Sequence, residues 1–301
     1  MAILVNQNTH ILVQGITGNE GARATREMLA YGTVVLAGVT PGKGGEIVEG
    51  VPVYNSVREA LAKHPAINVS LVVVPARFAL SAVTEAITEK IPLINILTEH
   101  IPTQDSARML ALARANDKDT HVILVGPSSV GIISPGIAKI GAIGSSTTSK
   151  VFSSGSIGLI SKSGGMAAEL ASVLSKNGLG QSTVVGIGGD QIIGSDFVDI
   201  LRLFEKDEQS KAVVLFGEVG GTYEEQAAEF IKQGKFTKPV VAIVAGMFTT
   251  LLPEGAVLGH AGAIVSKGRG SYDSKIRALE EAGVKIVNTI NDIPSMIKQL
   301  I

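Results

Sequence analysis

The 301-residue sequence contains no cysteine and no tryptophan, and aromatic residues make up only 4% of it. Without cysteine the chain can form no disulfide, and it offers no thiolate as a nucleophile or as a ligand for zinc or an iron–sulfur cluster. So few aromatic side chains leave little surface on which nucleic-acid bases could stack. The 26 Lys and Arg against 27 Asp and Glu give a net charge of −1, which provides no bulk attraction to nucleic acid or to an anionic membrane.

The sequence also lacks a basic leader and an uninterrupted membrane-length apolar run. The N-terminal MAILVNQNTHILVQG becomes polar early and has no basic segment, so we expect no signal peptide. The most apolar stretch, Val240–Val265, contains Pro253 and several glycines and opens as the strand-like VVAIVAG, which favours a buried strand followed by a loop. We expect a cytoplasmic protein with neither membrane nor nucleic-acid partners.

The first part of the chain alternates short β-branched runs with amphipathic segments, the pattern of a parallel α/β sheet. This βαβ series is of the dinucleotide-binding, Rossmann-like type. Strands are predicted at Ile11–Gln14, Thr33–Gly38, Val69–Val74, Leu93–Leu97 and Val122–Val125, and helices at Ala22–Tyr31, Ser56–Lys63, Leu80–Lys90 and Gln104–Asn116.

A second series indicates another doubly wound parallel sheet, which we expect to be flavodoxin-like. We predict domains at residues 1–130 and 131–301, with Gly126–Gly131 and Ser134–Gly136 as linker and residues 142–155 as a flexible insertion. Strands are predicted at Ser156–Ser161, Thr183–Ile187, Lys211–Phe216, Pro239–Val244 and Lys285–Val287, and helices at Met166–Asn177, Phe197–Lys206, Tyr223–Gln233 and Ser271–Ala282.

Two loops of the first series suit a phosphorylated ligand. The turn Gly15–Gly21 lies between a predicted strand and a helix, where backbone N–H groups bind phosphate, although a purely structural turn has the same composition. The second strand ends without the acid that holds the ribose of NAD, and Lys43 follows in a glycine loop. A cation there favours coenzyme A over NAD, while the alternative is a solvated lysine. A Walker A motif is absent, so we expect no ATP site on this chain.

The second series presents three candidate groups. Ser163, Gly164 and Gly165 form a turn before a helix, which suits an anion but equally suits an ordinary helix cap. Glu218 ends a strand at the sheet edge where ligands bind and could orient an imidazole. His260 lies among small residues in LGHAGAI, which leaves room for a covalent nucleophile to react, although a buried structural histidine is the alternative.

Seven motifs in order resemble the alpha subunits of succinyl-CoA synthetase, in the wider family of NDP-forming acyl-CoA synthetases. They are QGITGNEG, GVTPGKGG, LTE, SKSGGM, GIGGDQIIGSDF, GEVGGT and GHAGAI. The resemblance implies that His260 is phosphorylated during turnover, that Glu218 holds its ring, and that the Ser163–Gly165 helix terminus stabilises the phosphohistidine. It also implies that the CoA site is bordered by Thr17, Gly18, Asn19, Glu20, Lys43, Leu97, Thr98 and Glu99.

The resemblance further implies a partner. An ATP-grasp beta subunit would bind ATP or GTP with Mg²⁺ and join this chain in an αβ or (αβ)₂ assembly, with no metal held by this chain. The phosphoryl group would pass through His260 to a small carboxylate, and the CoA thiol would then attack the acyl phosphate. ATP or GTP, the number of αβ units and the physiological direction stay open.

Departures from the succinate pattern leave the acid open. Succinate enzymes commonly read SRSGTLTYE where this chain has SKSGGMAAE, so Gly165 replaces a threonine and Ala168 a tyrosine. The SGGM turn, GPSSVG at Gly126–Gly131 and the longer loop between Pro239 and His260 resemble ATP-citrate lyase and citryl-CoA synthetase. Smaller side chains leave room for a larger or differently shaped acid. A CoA-binding regulatory module without catalysis is an alternative that His260 and Glu218 disfavour. A NAD-dependent dehydrogenase is disfavoured by Lys43.

Overall fold

A computed structural model describes residues 2–115, 122–251 and 270–301. Within these ranges the chain forms two seven-stranded sheets, one after the other along the sequence. Helices flank both sheets, so most strands are buried on both faces and consist of continuous apolar runs, as in parallel α/β proteins. The doubly wound α/β fold class is therefore confirmed.

The first sheet has the strand order β3-β4-β2-β1-β5-β6-β7. Every neighbouring pair is parallel except β3 and β4. The six parallel strands follow the 3-2-1-4-5-6 order of a Rossmann fold. The strands are β1 (His10–Gln14), β2 (Val34–Val39), β3 (Ile47–Val48), β4 (Val51–Tyr54), β5 (Val69–Val72), β6 (Leu93–Ile96) and β7 (Ile123–Val125), and the helices are α1 (Asn19–Tyr31), α2 (Val57–Lys63), α3 (Ala76–Thr88) and α4 (Thr103–Ala115).

The second sheet has the order β14-β13-β12-β10-β11-β8-β9. Its five parallel strands follow the 2-1-3-4-5 order of flavodoxin-like folds, and the antiparallel pair β8–β9 extends one edge. The strands are β8 (Gly131–Ser134), β9 (Ala138–Gly141), β10 (Ser154–Ser161), β11 (Gln181–Gly186), β12 (Ala212–Glu218), β13 (Val240–Ala245) and β14 (Lys285–Ile286). The helices are α5 (Thr148–Val151), α6 (Gly164–Lys176), α7 (Phe197–Lys206), α8 (Tyr223–Lys232), α9 (Tyr272–Glu281) and α10 (Ile293–Leu300).

One apolar core joins the two sheets. It includes Val13 and Met28 from the first series and Ile132, Ile140 and Val185 from the second. Two hydrogen bonds reinforce the contact, because the Thr33 hydroxyl donates to the Lys139 carbonyl over 3.1 Å and accepts from its N–H over 2.9 Å. The antiparallel pair β8–β9 therefore fixes the position of one sheet relative to the other.

The prediction that Gly126–Gly131 and Ser134–Gly136 form a linker is wrong at strand β8, which begins at Gly131 and ends at Ser134. The turn after Ser134 leads into β9 (Ala138–Gly141), so this part of the chain is a hairpin of the second sheet. Glycine, serine and proline suggested a loop, but glycine is needed at a close strand contact. Gly131 has a φ of 124°, and a Cβ there would lie 1.9 Å from the Ile140 carbonyl oxygen.

Other differences concern short or terminal elements. Residues 142–155, predicted as a flexible insertion, contain a 3-10 turn at Ser145–Thr147, helix α5 and the start of β10. Helix α3 begins at Ala76 rather than Leu80, directly after its N-cap Pro75. The short strands β3 and β4 and helix α10 were not predicted, since brief segments carry little periodicity.

The strand contact at Gly131 predicts a large cost for Gly131→Ala. Gly136→Ala is a matched control, because Gly136 also has a positive φ (80°) but a Cβ there meets nothing within 4 Å. The control should lose about 1–2 kcal/mol of unfolding free energy from backbone strain. Gly131→Ala should lose roughly 1–3 kcal/mol more from the clash. Urea unfolding measures both values, and equal losses would show that the strand pair adjusts freely.

Candidate active site

A cavity of about 910 Å³ lies between the two sheets. Most of its walls are loops that follow the carboxyl ends of parallel strands. They include the loops after β1 and β5, where the strand order of the first sheet reverses, and the loop after β10, beside the reversal in the second. This is the position at which doubly wound sheets bind ligands. The first series contributes residues 18–20, 23, 73–76 and 97–100, and the second contributes residues 128–130, 142, 162–165 and 189–190.

The first wall is the glycine turn after β1 with the N-terminus of α1. Gly21 is required there, since a Cβ on it would lie 2.2 Å from the Gly15 carbonyl oxygen. Gly18 is the N-cap and has no side chain to satisfy the first helical N–H groups, which suits an anionic ligand. Glu20 in the first turn forms an ion pair with Arg23, and both line the cavity. Arg23 was not singled out from the sequence, although its spacing from Glu20 is that of helical ion pairs.

The loops after β5 and β6 complete this wall. Thr98 ties them together, because its hydroxyl donates to the Val74 carbonyl over 2.8 Å. Leu97 and Glu99 flank it on the lining. His100 also lines the cavity with a side chain that is 92% exposed, so it is a surface group at the cavity's edge.

Two predicted CoA residues lie outside this lining. The Thr17 hydroxyl donates to the Thr40 hydroxyl over 3.1 Å, so it joins the glycine turn to the loop after β2. Lys43 is half exposed in that loop, with its Nζ 2.9 Å from Glu46 Oε1. The structure therefore brings Gly18, Asn19, Glu20 and Leu97–Glu99 together around the cavity and leaves Lys43 beside them on the surface.

The opposite wall is the N-terminus of α6. Ser163 is its N-cap and accepts a hydrogen bond from the Met166 N–H over 3.4 Å, while the Ser163 N–H donates to the Ser161 hydroxyl. Gly164 packs so closely that a Cβ would lie 2.7 Å from Val130 Cβ. A Cβ on Gly165 would meet nothing within 4 Å. The helix cap and the cavity lining are thus formed by the same turn.

Ala168, where the succinate pattern carries tyrosine, is not part of the described lining. It packs against the core beneath α6. The added space in this cavity is therefore at Gly165, one turn earlier on the helix.

A group of buried charges lies behind the α6 turn. We call Lys162, Glu218, Glu224 and Lys275 the buried charge cluster. Lys162 Nζ lies 3.7 Å from Glu218 Oε1 and 3.7 Å from Glu224 Oε1. Glu224 is also hydrogen-bonded to Lys275 Nζ, and it accepts the backbone N–H of Glu218 over 3.0 Å. The last residue of β12 is therefore held by both its main chain and its side chain.

Sequence reasoning identified Glu218 but missed the rest of this cluster. The signal was present for Lys162, which stands directly before Ser163 in SKSGGM, and for Glu224, which opens a helix after GEVGGT. Lys275 carried no signal, because α9 brings it from a distant part of the sequence. The predicted nucleophile His260 lies outside the described residues.

A second polar pair in the lining was also missed. Ser128, within GPSSVG, donates its hydroxyl to Asp190 Oδ1 over 2.8 Å. Asp190 lies in GIGGDQIIGSDF after β11. Both motifs were noted as sequence patterns, but their pairing depends on the antiparallel addition of β8 to β11.

Across residues 2–115, 122–251 and 270–301, no group of His, Asp and Glu is arranged to hold a metal ion. None of the helices in those ranges combines the length and apolar character needed to cross a bilayer.

Two family models match this chain, one in each of its two sheets. The family model "CoA binding domain" matches residues 6–100, and the model "CoA-ligase" matches residues 160–285. The chain is 48% identical over 301 residues to succinate–CoA ligase [ADP-forming] subunit alpha 2 of Archaeoglobus fulgidus, with 100% of both chains covered. The chain belongs to the succinate–CoA ligase alpha-subunit family. The Aquifex aeolicus alpha subunit is 45% identical over 287 residues, covering 95% of this chain and 90% of that one.

A solved structure supports the fold of this family member. ATP citrate lyase from Methanothrix soehngenii, in complex with citrate and coenzyme A, superposes with a TM-score of 0.91 at 28% identity. The match covers 99% of this chain and 50% of that chain, so this family member spans about half the length of the lyase chain.

The open space at Gly165 predicts that Gly165→Thr folds normally. The substitution should change the unfolding free energy by no more than about 0.5 kcal/mol, as at an unconstrained surface. Gly164→Thr is the matched control, and its clash with Val130 should cost roughly 1–3 kcal/mol. Urea unfolding compares the two variants. A comparable loss in both would mean that the space at Gly165 is filled in solution.

Proposed function

We propose that this chain is the alpha subunit of an NDP-forming carboxylate–CoA ligase, which makes acyl-CoA from a small di- or tricarboxylate, CoA and a nucleoside triphosphate. The observation that carries the proposal is the cavity between the sheets. It joins a helix N-terminus suited to CoA phosphates with a second helix N-terminus suited to a transferred phosphoryl group. The names of the full-length relatives support the same reaction.

We assign CoA to the wall built by the first series. Gly18, Asn19, Glu20 and the Leu97–Glu99 loop border it in our proposal, with Thr17 and Lys43 at its outer edge. Two features of the described residues fit such a ligand. The cavity lies within the volume range of ligand pockets, and the cation Arg23 on this wall opposes the negative charge that CoA would bring.

The proposed chemistry is a series of balanced transfers. His260 Nε2 attacks the terminal phosphoryl group of the triphosphate, forming an N–P bond and releasing the diphosphate. A substrate carboxylate oxygen then attacks phosphorus, and the imidazole leaves. The CoA sulfur attacks the acyl carbon of the acyl phosphate, forming the thioester and releasing phosphate. Glu218 orients the imidazole in this scheme, and the α6 terminus with Ser163, Gly164 and Gly165 stabilises the phosphoryl oxygens.

The scheme needs a partner, because the chain carries no Walker A motif. We propose an ATP-grasp beta subunit that binds ATP or GTP with Mg²⁺, in an αβ or (αβ)₂ assembly. The division into a CoA-binding domain at 1–130 and a ligase domain at 131–301 belongs to this proposal. So does a cytoplasmic location, where CoA and nucleoside triphosphates are available.

Succinate is the acid that the relatives' names favour. Citrate is the second candidate, because the lyase that superposes so closely was solved with citrate and because Gly165 leaves open space in the cavity that the Ser128–Asp190 pair also lines. The ratio of kcat/KM for succinate, malate and citrate, measured with the beta subunit present, decides between them.

His260→Asn should abolish phosphorylation and ligation but leave CoA binding intact, because the CoA wall belongs to the first series. The measurement is ³²P labelling from the triphosphate in the presence of the beta subunit, and the label should be lost in mild acid, as a phosphoramidate is. His100→Asn is the matched control, since His100 lines the cavity and should still permit labelling. Acid-labile label on the His260→Asn protein would place the nucleophile elsewhere.

Lys43→Ala should weaken CoA binding by about 1–3 kcal/mol, the range of a charge-assisted hydrogen bond. For this result the ammonium group must exchange Glu46 for a CoA phosphate. Lys63→Ala is the control, because Lys63 is an exposed lysine in the last turn of α2. Calorimetric titration with CoA checks both, and an affinity equal to that of the wild type would remove Lys43 from the site.

A further inference from the structure

Lys162 is a cation held at the inner side of the cavity. It follows β10 directly and precedes Ser163, the N-cap of α6. Its backbone N–H donates to the Phe216 carbonyl over 3.3 Å, so the main chain is fixed by the sheet. The side chain is only 1% exposed, yet the residue lines the cavity. The ammonium group therefore lies out of bulk water, on a residue that forms part of the cavity wall.

The carboxylates of the buried charge cluster do not use up the hydrogen-bonding capacity of this ammonium group. Its Nζ lies 3.7 Å from Glu218 and from Glu224, which is an ion-pair distance beyond a hydrogen bond. Lys275, in contrast, hydrogen-bonds Glu224 directly and also Glu225 over 3.2 Å. Within the described parts of the chain, Lys162 Nζ donates no hydrogen bond, and besides the two ion pairs it contacts the ring of Tyr223, whose centroid lies 5.9 Å away.

The cavity lining carries several negative charges, which would repel an anionic ligand. Glu20, Glu99 and Asp190 contribute carboxylates to it, and Arg23 is paired with Glu20. Every reactant of the proposed function is an anion, and a buried charge interacts far more strongly than an exposed one. Lys162 is the lining cation beside the α6 terminus, where the helix dipole also favours negative charge.

We infer that Lys162 is a positioning residue that binds the oxygens of the phosphoryl group passing between His260 and the acid. Its Nζ and the first turn of α6 together form a site for a tetrahedral phosphate dianion, with Glu218 and Glu224 fixing the ammonium group from behind. This inference rests on the proposed function and names a further group at the same site. Lys162 forms and breaks no covalent bond in it.

The alternative is that Lys162 serves only to neutralise Glu218 and Glu224. The two roles differ in what a substitution does to phosphate binding. A neutralising role predicts that stability falls while phosphate affinity in folded protein is unchanged. A positioning role predicts that phosphate affinity falls while CoA affinity is kept.

The test is equilibrium dialysis of ³²P-orthophosphate against the enzyme assembled with its beta subunit. Lys162→Met should bind phosphate at least tenfold more weakly than the wild type, and Lys162→Arg should bind it within about threefold because the charge is kept. Lys176→Met, on the exposed last turn of the same helix, is the matched control and should match the wild type. CoA affinity by calorimetry should be unchanged in every variant.

A second pair of variants tests the inference if Lys162→Met does not fold. Glu218→Gln removes the neighbouring negative charge and should bind phosphate more tightly. Lys162→Met/Glu218→Gln buries no net charge relative to the wild-type pair, so it should fold and still bind phosphate at least tenfold more weakly than Glu218→Gln. Equal phosphate affinity of the double variant and Glu218→Gln would overturn the inference.

Two further outcomes are decisive. If Lys162→Met weakens binding of succinate or citrate but not of orthophosphate, the ammonium group binds the acid's carboxylate and the phosphoryl assignment is wrong. If the wild-type enzyme binds no phosphate, the site does not exist. Failure of the proposed function would look different, since the wild type would then neither bind CoA nor ligate any acid.

Discussion

The buried carboxylate of Glu224 is the interaction on which the candidate site depends. Its side chain is fully excluded from solvent, a position that costs several kcal/mol unless the charge is paired and hydrogen-bonded. Lys275 supplies the direct pair, Lys162 adds a second cation, and the Glu218 N–H donates a third contact. One carboxylate thereby connects the ends of β10 and β12 with helix α9, and it fixes the residues that face the proposed phosphoryl group.

The second constraint is the direction of the strands. Parallel strands in one sheet all end at the same edge, and each sheet of this protein reverses its strand order at one point on that edge. The β8–β9 pair joins the sheets so that these two edges face a common cavity. Two helix N-termini, each favourable to anions, therefore lie on opposite walls. That arrangement suits the proposed reaction, in which the CoA thiol must meet an acyl phosphate.

Sequence patterns predicted the secondary structure correctly where a long segment repeated one hydrophobic period or where a glycine motif followed a strand. They predicted the parallel strands of both sheets, apart from the short β4, and the glycine turns at Gly18 and Ser163. They failed at β8 and β9, because Gly131 and its neighbours have the composition of a loop and owe their extended form to pairing with β11. Lys43 shows the same limit, since a glycine loop indicates a ligand but not how far the side chain lies from it.

By itself the sequence determined the fold class, the family and the types of residue available for chemistry, because periodicity and motif order are properties of the chain alone. Tertiary structure decided which of those residues share a cavity. It placed the open space at Gly165 rather than Ala168, and it surrounded Glu218 with Lys162 and Glu224. Such contacts join residues far apart in the sequence, and their energies depend on burial, which arises only when the two sheets and their helices pack together.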